Sequence, residues 1–416
     1  MLPTRKSAIL AALLAAATWP AEAGQNSERA AAEPSTPASC AAPDASKAAA
    51  EAAPAPPPIL VGGLGYAGIA PDTASAEAKA WFEQGVRLVW AYDEQEAVRS
   101  FEQAQKADPT CAMCFWGEAW ARSPTLNLQP RDEMQPRAAA SIARAAALSG
   151  KLGAMQQGLI QAVQLRVAGK GATFDNKAYR KAMAKLAARF PQDDAVLVLA
   201  ADARLIGRDL KPGSDAQRWM ETVLARNPNH SGAIHQYIHL TDIIENQKLA
   251  EPYADRLGTL APGASHLVHM PSHTFYGVGR YKDAASVNVA ALAVDNSYVE
   301  RVKPPASDYR DGLYAHNSHF AIESALIRGD GPTALRTADH FRERYPDSEL
   351  GGIAVIRAST WYAYGLHGDP AAVLAMAEPP AKASLMRGMR HYARGEALAR
   401  QGDASAVRAE AAAIAR

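Results

Sequence analysis

Small and apolar residues recur along residues 78–109 with the spacing of a helix, a tight turn and a second helix. Trp81, Gly85, Leu88, Ala97, Phe101, Ala104 and Pro109 stand 4, 3, 9, 4, 3 and 5 residues apart. Steps of three and four keep a stripe on one helical face, and the step of nine spans the turn. Gly85 and Ala97 are small enough to let two antiparallel helices approach, Trp81 and Phe101 fill the space between them, and Pro109 starts the next unit. Later units keep the rhythm. Asn227-Pro228 closes one, turns fall at Gly279-Arg280-Tyr281 before Ala284 and at Gly329-Asp330 before Ala334, and Gly395 and Gly402-Asp403 mark a last one. Residues 130–226 keep helical periodicity, as in 178–190 and 195–205, with a weaker signature. An alanine-rich composition with few β-branched runs agrees with an all-α protein.

This spacing resembles the tetratricopeptide repeat (TPR), a helix-turn-helix unit of about 34 residues. The resemblance implies a right-handed α-solenoid of about six to eight helix pairs over residues 71–416, the first helix of each pair lining the concave side. The chain as a whole resembles large exported bacterial TPR proteins with a His-rich HxxHxxxH segment, on the strength of FEQGVRLVWAY near 82, CAMCFWGEA near 111 and HLVHMPSH near 266. Such chains often carry histidines shortly before the first repeat and at its turn, where this one has Tyr66-Ala67 and Tyr92-Asp93-Glu94. The resemblance therefore implies a reduced or altered version of their site.

The first residues suggest a compartment. Arg5 and Lys6 precede an apolar run, Ala8 to Ala17, and Ala21-Glu22-Ala23 offers small residues for cleavage before Gly24. Residues 1–23 read as a secretory signal, too short to span a membrane. Residues 24–70 begin as an Ala, Pro, Ser and Glu tract that ends in PAPPP at 54–58, and they read as a disordered leader. A periplasmic or secreted protein without a membrane span is expected. Loss of residues 1–23 removes two basic groups and one acid, which leaves the remainder formally neutral. That balance gives no reason to expect nucleic acid as a partner.

Repeat numbering turns scattered histidines into a pattern. Each unit is numbered from the start of its first helix, three places after the preceding Pro. Ser231 then opens one unit, with His235, His239 and Asp242 as its fifth, ninth and twelfth residues. Ser265 opens the next, with His266, His269, His273 and Tyr276 second, fifth, ninth and twelfth. Counting back from Gly329 and Ala334 makes Ala315 first, so that His316, His319 and Glu323 fall second, fifth and ninth. Offsets of three, four and seven turn a helix by about −60°, +40° and −20°, so each cluster is one stripe. Adjacent helices lie roughly 8–10 Å apart, close enough for neighbouring stripes to share an ion.

His235, His239, His266, His269, His273, His316, His319 and Glu323 are therefore candidate ligands for one or two transition-metal ions. With no cysteine among them, copper, iron and zinc all remain open. His316, His319 and Glu323 also have the composition of a non-haem iron facial triad. In a metal-dependent oxidoreductase or hydrolase, Glu323 and Asp242 would shuttle protons, and Tyr276 or Tyr314 would donate a hydrogen bond. A metal carrier is equally compatible. The alternative is a scaffold that binds a peptide, a protein or a small molecule in the concave groove without catalysis. Pro271, seventh in its unit, removes a helical amide and predicts a kink or a later start. Cys111 and Cys114 form a CAMC pair that reads as a local disulfide, a redox pair or a metal pair, with Cys40 left over in the leader. No phosphate-binding glycine loop, nucleophile elbow or HExxH motif is present.

Overall fold

The structure, a computed structural model, describes residues 56–127, 134–169, 173–208, 210–345, 351–380 and 383–414. These all lie within one compact unit, Cys40–Arg416. The signal segment, most of the leader and Cys40 lie outside the described residues.

Helices follow one another as antiparallel neighbours. The first hairpin joins α1 (Ala76–Trp90) to α2 (Glu94–Ala107), the second α3 (Ala112–Ala121) to α4 (Met134–Leu148) and the third α5 (Ala154–Val167) to α6 (Asn176–Arg189). The next joins α7 (Asp194–Leu205) to α8 (Asp215–Arg226), followed by α9 (Ser231–Ile243) with α10 (Glu251–Leu260). Two short helices, α11 (Ser265–His269) and α12 (Pro271–Gly277), pair with α13 (Tyr281–Val302), and α14 (Asp308–Arg328) pairs with α15 (Gly331–Arg344). The described chain closes with α16 (Gly351–His367), α17 (Pro370–Ala375), α18 (Ser384–Gln401) and α19 (Ala404–Ile414). There is no strand among the described residues, and no helix there is long and apolar enough to cross a membrane. The expected all-α repeat of helix pairs is what the chain forms.

Local chemistry accounts for the boundaries. Side chains of Ser75, Asp93, Asp175, Asp193, Ser214 and Asp330 accept amide hydrogens in the first turns that follow them. Gly329 and Gly402 end α14 and α18 at φ 80°, a conformation that costs glycine little. Within the first hairpin Gly85 and Phe101 act as the spacing predicts, but the partner ring is Phe82 rather than the partly buried Trp81: Phe82 and Phe101 meet edge to face at 5.5 Å. A Cβ on Gly85 would lie 2.7 Å from the Phe101 ring and one on Gly117 only 2.3 Å, so both glycines exist to admit that ring between α1 and α3.

The leader assigned to residues 24–70 ends sooner than its composition suggests, because residues 56–70 find specific partners on the helices. Gln84 bonds both the amide of Val61 (2.7 Å) and the carbonyl of Ile59 (3.0 Å). The amide of Tyr66 donates to Ser231 Oγ at 2.9 Å, and the amide of Gly263 donates to the carbonyl of Gly63 at 2.7 Å. Leu64 and Ile69 are buried as well. This strap ties α1 to α9, although the two helices are far apart in sequence. Trp90 seals the contact: its indole packs on Gly232, where a Cβ would come within 2.8 Å, and its Nε1–H donates to the carbonyl of Ala67.

The third histidine-bearing helix departs from the counted register. α14 begins at Asp308, seven residues before Ala315, because Ser307 caps it by accepting the amide of Arg310. At Pro271 the helix breaks, as its missing amide requires. Met270 keeps helical angles (φ −51°, ψ −36°), and the amide of His273 turns to the carbonyl of Met270.

Candidate metal centre

Six of the seven groove histidines converge as two triads. His235 and His239 from α9 meet His266 from α11, while His269 from α11 and His273 from α12 meet His316 from α14. Within each triad the ligand nitrogens lie within 4.8 Å of one another. In repeat numbering each set is built alike: the fifth and ninth residues of one unit with the second residue of the next.

The nitrogen spacings suit a metal ion. His235 Nε2 lies 3.1 Å from His266 Nε2, and His273 Nε2 lies 3.1 Å from His269 Nε2 and 3.5 Å from His316 Nε2. Imidazole nitrogens around one tetrahedral ion, each about 2.0–2.1 Å from it, stand about 3.3 Å apart.

Partners on the far side of the rings fix which nitrogen faces inward. A carbonyl can only accept, so His235 carries its proton on Nδ1 and donates it to Trp90 O at 2.6 Å. Asn288 spends its amide hydrogen on the carbonyl of Ala284 (2.7 Å), which turns Oδ1 toward His269 and draws the Nδ1–H there at 2.6 Å. His273 Nδ1 faces Asp242 Oδ2 at 3.3 Å, and Gln247 holds the other oxygen at 3.0 Å. The inward Nε2 atoms of His269 and His273 are thus both lone-pair donors, 3.1 Å apart. A single proton on His273 could bridge to His269 or to His316. One cation would satisfy all three nitrogens at once.

Burial opposes protonation. His235 and His269 are wholly buried, and His239, His266 and His273 nearly so. Burial brings the His235 imidazolium down to about 3. The same cause, reinforced by neighbouring imidazoles, holds His239, His266, His269 and His316 well below the ordinary value. Burial works against the Asp242 carboxylate, yet its bonds from His273 and Gln247 prevail and leave its pKa lowered. Neither His239 Nε2 nor His266 Nδ1 has a hydrogen-bond partner among the described residues. Buried nitrogens without a partner are rare, and these two lie in a cluster whose composition fits a metal ion.

Aromatic rings enclose both sets. Tyr92 stacks on His239 (5.6 Å) and His266 (5.3 Å) and meets His235 edge-on at 4.5 Å. Phe320 lies against His269, His273 and His316 at 5.5, 4.8 and 4.7 Å. A small cleft of about 50 Å³ reaches His266, with Tyr92, Asp295, Tyr298, Arg310 and Leu313 along its walls.

Not every expected residue joins a triad. His319 and Glu323 pair with each other at 2.7 Å, and His316 goes to the second triad, so the facial-triad grouping on one helix is not formed. The three lie on one stripe, but only His316 reaches the imidazoles of neighbouring helices. Asp242 orients His273. Tyr276 stands one ring away, against Phe320 (5.8 Å) and Tyr281 (5.3 Å), and its pKa is pushed up to about 12 by burial and by Glu323. Tyr314 turns elsewhere, toward Arg344 and Tyr345. The histidines are buried between helices rather than spread along an open groove, because the strap and Trp90 bring α1 against α9. Cys111 and Cys114 form a buried disulfide away from both triads. The Asp72 carboxylate accepts the amides of Ala112 and Met113 at 3.1 and 2.8 Å, which places negative charge where a reactive thiolate would need positive.

Sequence reasoning missed Asn288, Phe320 and the carbonyl of Trp90, of which Phe320 had a readable signal, since it follows His316 by four residues. Tyr92 was marked only by the resemblance, as a place where related chains carry a histidine.

No protein-family model and no curated protein matches the chain. Among solved structures, a tetratricopeptide repeat protein from Parabacteroides merdae is 14% identical, covering 68% of this chain and 98% of its own, with a TM-score of 0.32. The Naa15/Naa10 complex bound to HypK-THB is 11% identical over 81% of this chain and 58% of its own, with a TM-score of 0.25. The fold rests on the chain's own antiparallel helix pairs, an all-α helical repeat among the described residues.

Proposed function

We propose that this is an exported metalloprotein whose two imidazole triads hold a pair of transition-metal ions, in the service of a metal-dependent reaction or of metal carriage. One observation carries the reading: His269 and His273 aim two lone pairs at each other across 3.1 Å, with a third imidazole at 3.5 Å. All-imidazole sets without thiolate favour copper first and zinc second, since copper tops the affinity order for nitrogen ligands. The leader pattern and the Cys111–Cys114 disulfide support an oxidising compartment.

Three protein ligands per ion leave a position for water or a reactant, at which a bound metal would supply Lewis acidity or one-electron chemistry. The chain's own groups prepare that position. Asn288 and Asp242 fix the rings of His269 and His273, Tyr92 and Phe320 exclude water, and the Asp242 carboxylate keeps the His273 proton on Nδ1. The small cleft beside His266 gives water or a very small ligand an approach to the first triad. An extended peptide does not fit between buried rings, so a scaffold role would use other surfaces.

Metal analysis of the purified chain tests the proposal, with about two copper or zinc ions per chain expected from the two triads. Less than about half an ion per chain after growth in replete medium would overturn it.

A further inference from the structure

Each triad combines the fifth and ninth residues of one unit with the second of the next. The third unit repeats the first half of that rule: His319 and Glu323 stand fifth and ninth, in contact at 2.7 Å, and belong to neither triad. We propose that His319 and Glu323 form a solvent-facing capture site for a transition-metal ion, which passes from there through His316 to the buried triad. This inference rests on the metal-pair reading above.

Accessibility is the first argument. The side chains of His319 and Glu323 are 24% and 38% exposed, so a hydrated ion meets them without any opening of the helices. Of the six triad histidines only His316 is partly exposed; the other five are buried. An ion entering from solvent on this side therefore reaches His316 first.

Direction is the second. α14 presents His316, His319, Phe320 and Glu323 on one stripe, at offsets of three, four and seven. Phe320 covers His269, His273 and His316, which blocks a direct approach and leaves the path along the helix. His319 is near enough for its charge to act on His316.

Charge and affinity are the third. The part-exposed Glu323 carboxylate, 2.7 Å from His319, supplies the negative field that attracts a cation. One imidazole and one carboxylate hold an ion weakly, whereas His316 leads to a set of three imidazoles. The gradient runs inward, and the ion moves by exchange of ligands with no change of oxidation state.

The test is the rate at which the metal-free full-length chain takes up cobalt(II), read from the visible absorption that develops on imidazole coordination, in wild type, Glu323→Gln and His319→Gln. Both variants are expected to reach the wild-type stoichiometry about tenfold more slowly, with the difference shrinking as salt rises. Wild-type rates in both variants would overturn capture while leaving the triads intact. A loss of bound cobalt at equilibrium would make these residues resident ligands and also overturn it. His269→Ala separates the two proposals: if wild type and this variant bind cobalt equally, the metal-pair reading fails, and capture fails with it.

Discussion

The two triads use the same repeat positions and differ in what holds them. In the second, two of the three rings are oriented by side chains: Asn288 for His269 and Asp242 for His273, each fixed in turn by a bond to Ala284 or Gln247. In the first, a backbone carbonyl orients His235, while His239 Nε2 and His266 Nδ1 have no partner among the described residues. The first set is enclosed by Tyr92, and the second reaches solvent through His316. Outer partners commonly change metal affinity by about 10–100-fold. The second triad should therefore bind its ion more tightly and fill first, while the first remains the more adaptable.

The largest expected effect comes from His269→Ala. Removal of a ligand should lower affinity at the second triad by more than about 100-fold and leave about one ion per chain by metal analysis. Loss of both ions would break the comparison, because it would mean that the sets depend on each other. Asn288→Ala keeps every ligand and removes only the orienting amide. Titration against a competing chelator should show about 10–100-fold weaker binding of one ion and an unchanged second. Equal weakening of both would assign Asn288 to general packing.

The turn that carries Tyr92 offers a pH test of the first triad's wall. Burial, with Asp93 adding to it, raises the Glu94 carboxyl to about 8, against an ordinary value of 4.5. Between those values the folded chain keeps a proton that the unfolded chain has released, so stability falls as pH rises through that window. Glu94→Gln should flatten this part of the stability curve in denaturant titrations. An unchanged slope would remove Glu94 as its source. The smallest effect belongs to Tyr92→Phe, which keeps the stacked ring and loses a long hydroxyl contact with Gln236 (3.3 Å). A stability loss of roughly 0.5–1 kcal/mol is expected, with binding at the first triad unaltered. A large fall in affinity there would show that the hydroxyl itself serves the site.

Much of the fold was legible because helical packing leaves local marks. Gly85, Ala97 and Phe101 announce one hairpin, and the break at Pro271 follows from a missing amide. The site was legible in composition, since repeat numbering placed seven histidines on one face. At α14 the count misplaced the helix start, which Ser307 sets earlier, and the grouping of His316 with His319 and Glu323 did not form, although His316 at the counted second position joins a triad. Asn288 looks like any polar residue in a long helix, and Tyr92 was marked by the resemblance alone, its contacts being with histidines distant in sequence.

The sequence by itself determined the helical repeat and the ligand stock, because periodicity of apolar, small and imidazole residues is a property of local spacing. Tertiary structure alone decided which histidines share a centre. The fifth and ninth residues of one helix need the second of the next, and that choice depends on how adjacent helices pack. It also decided that the site is buried: a strap near residue 65 and the Trp90 indole draw α1 against α9, a long-range contact that no local pattern encodes.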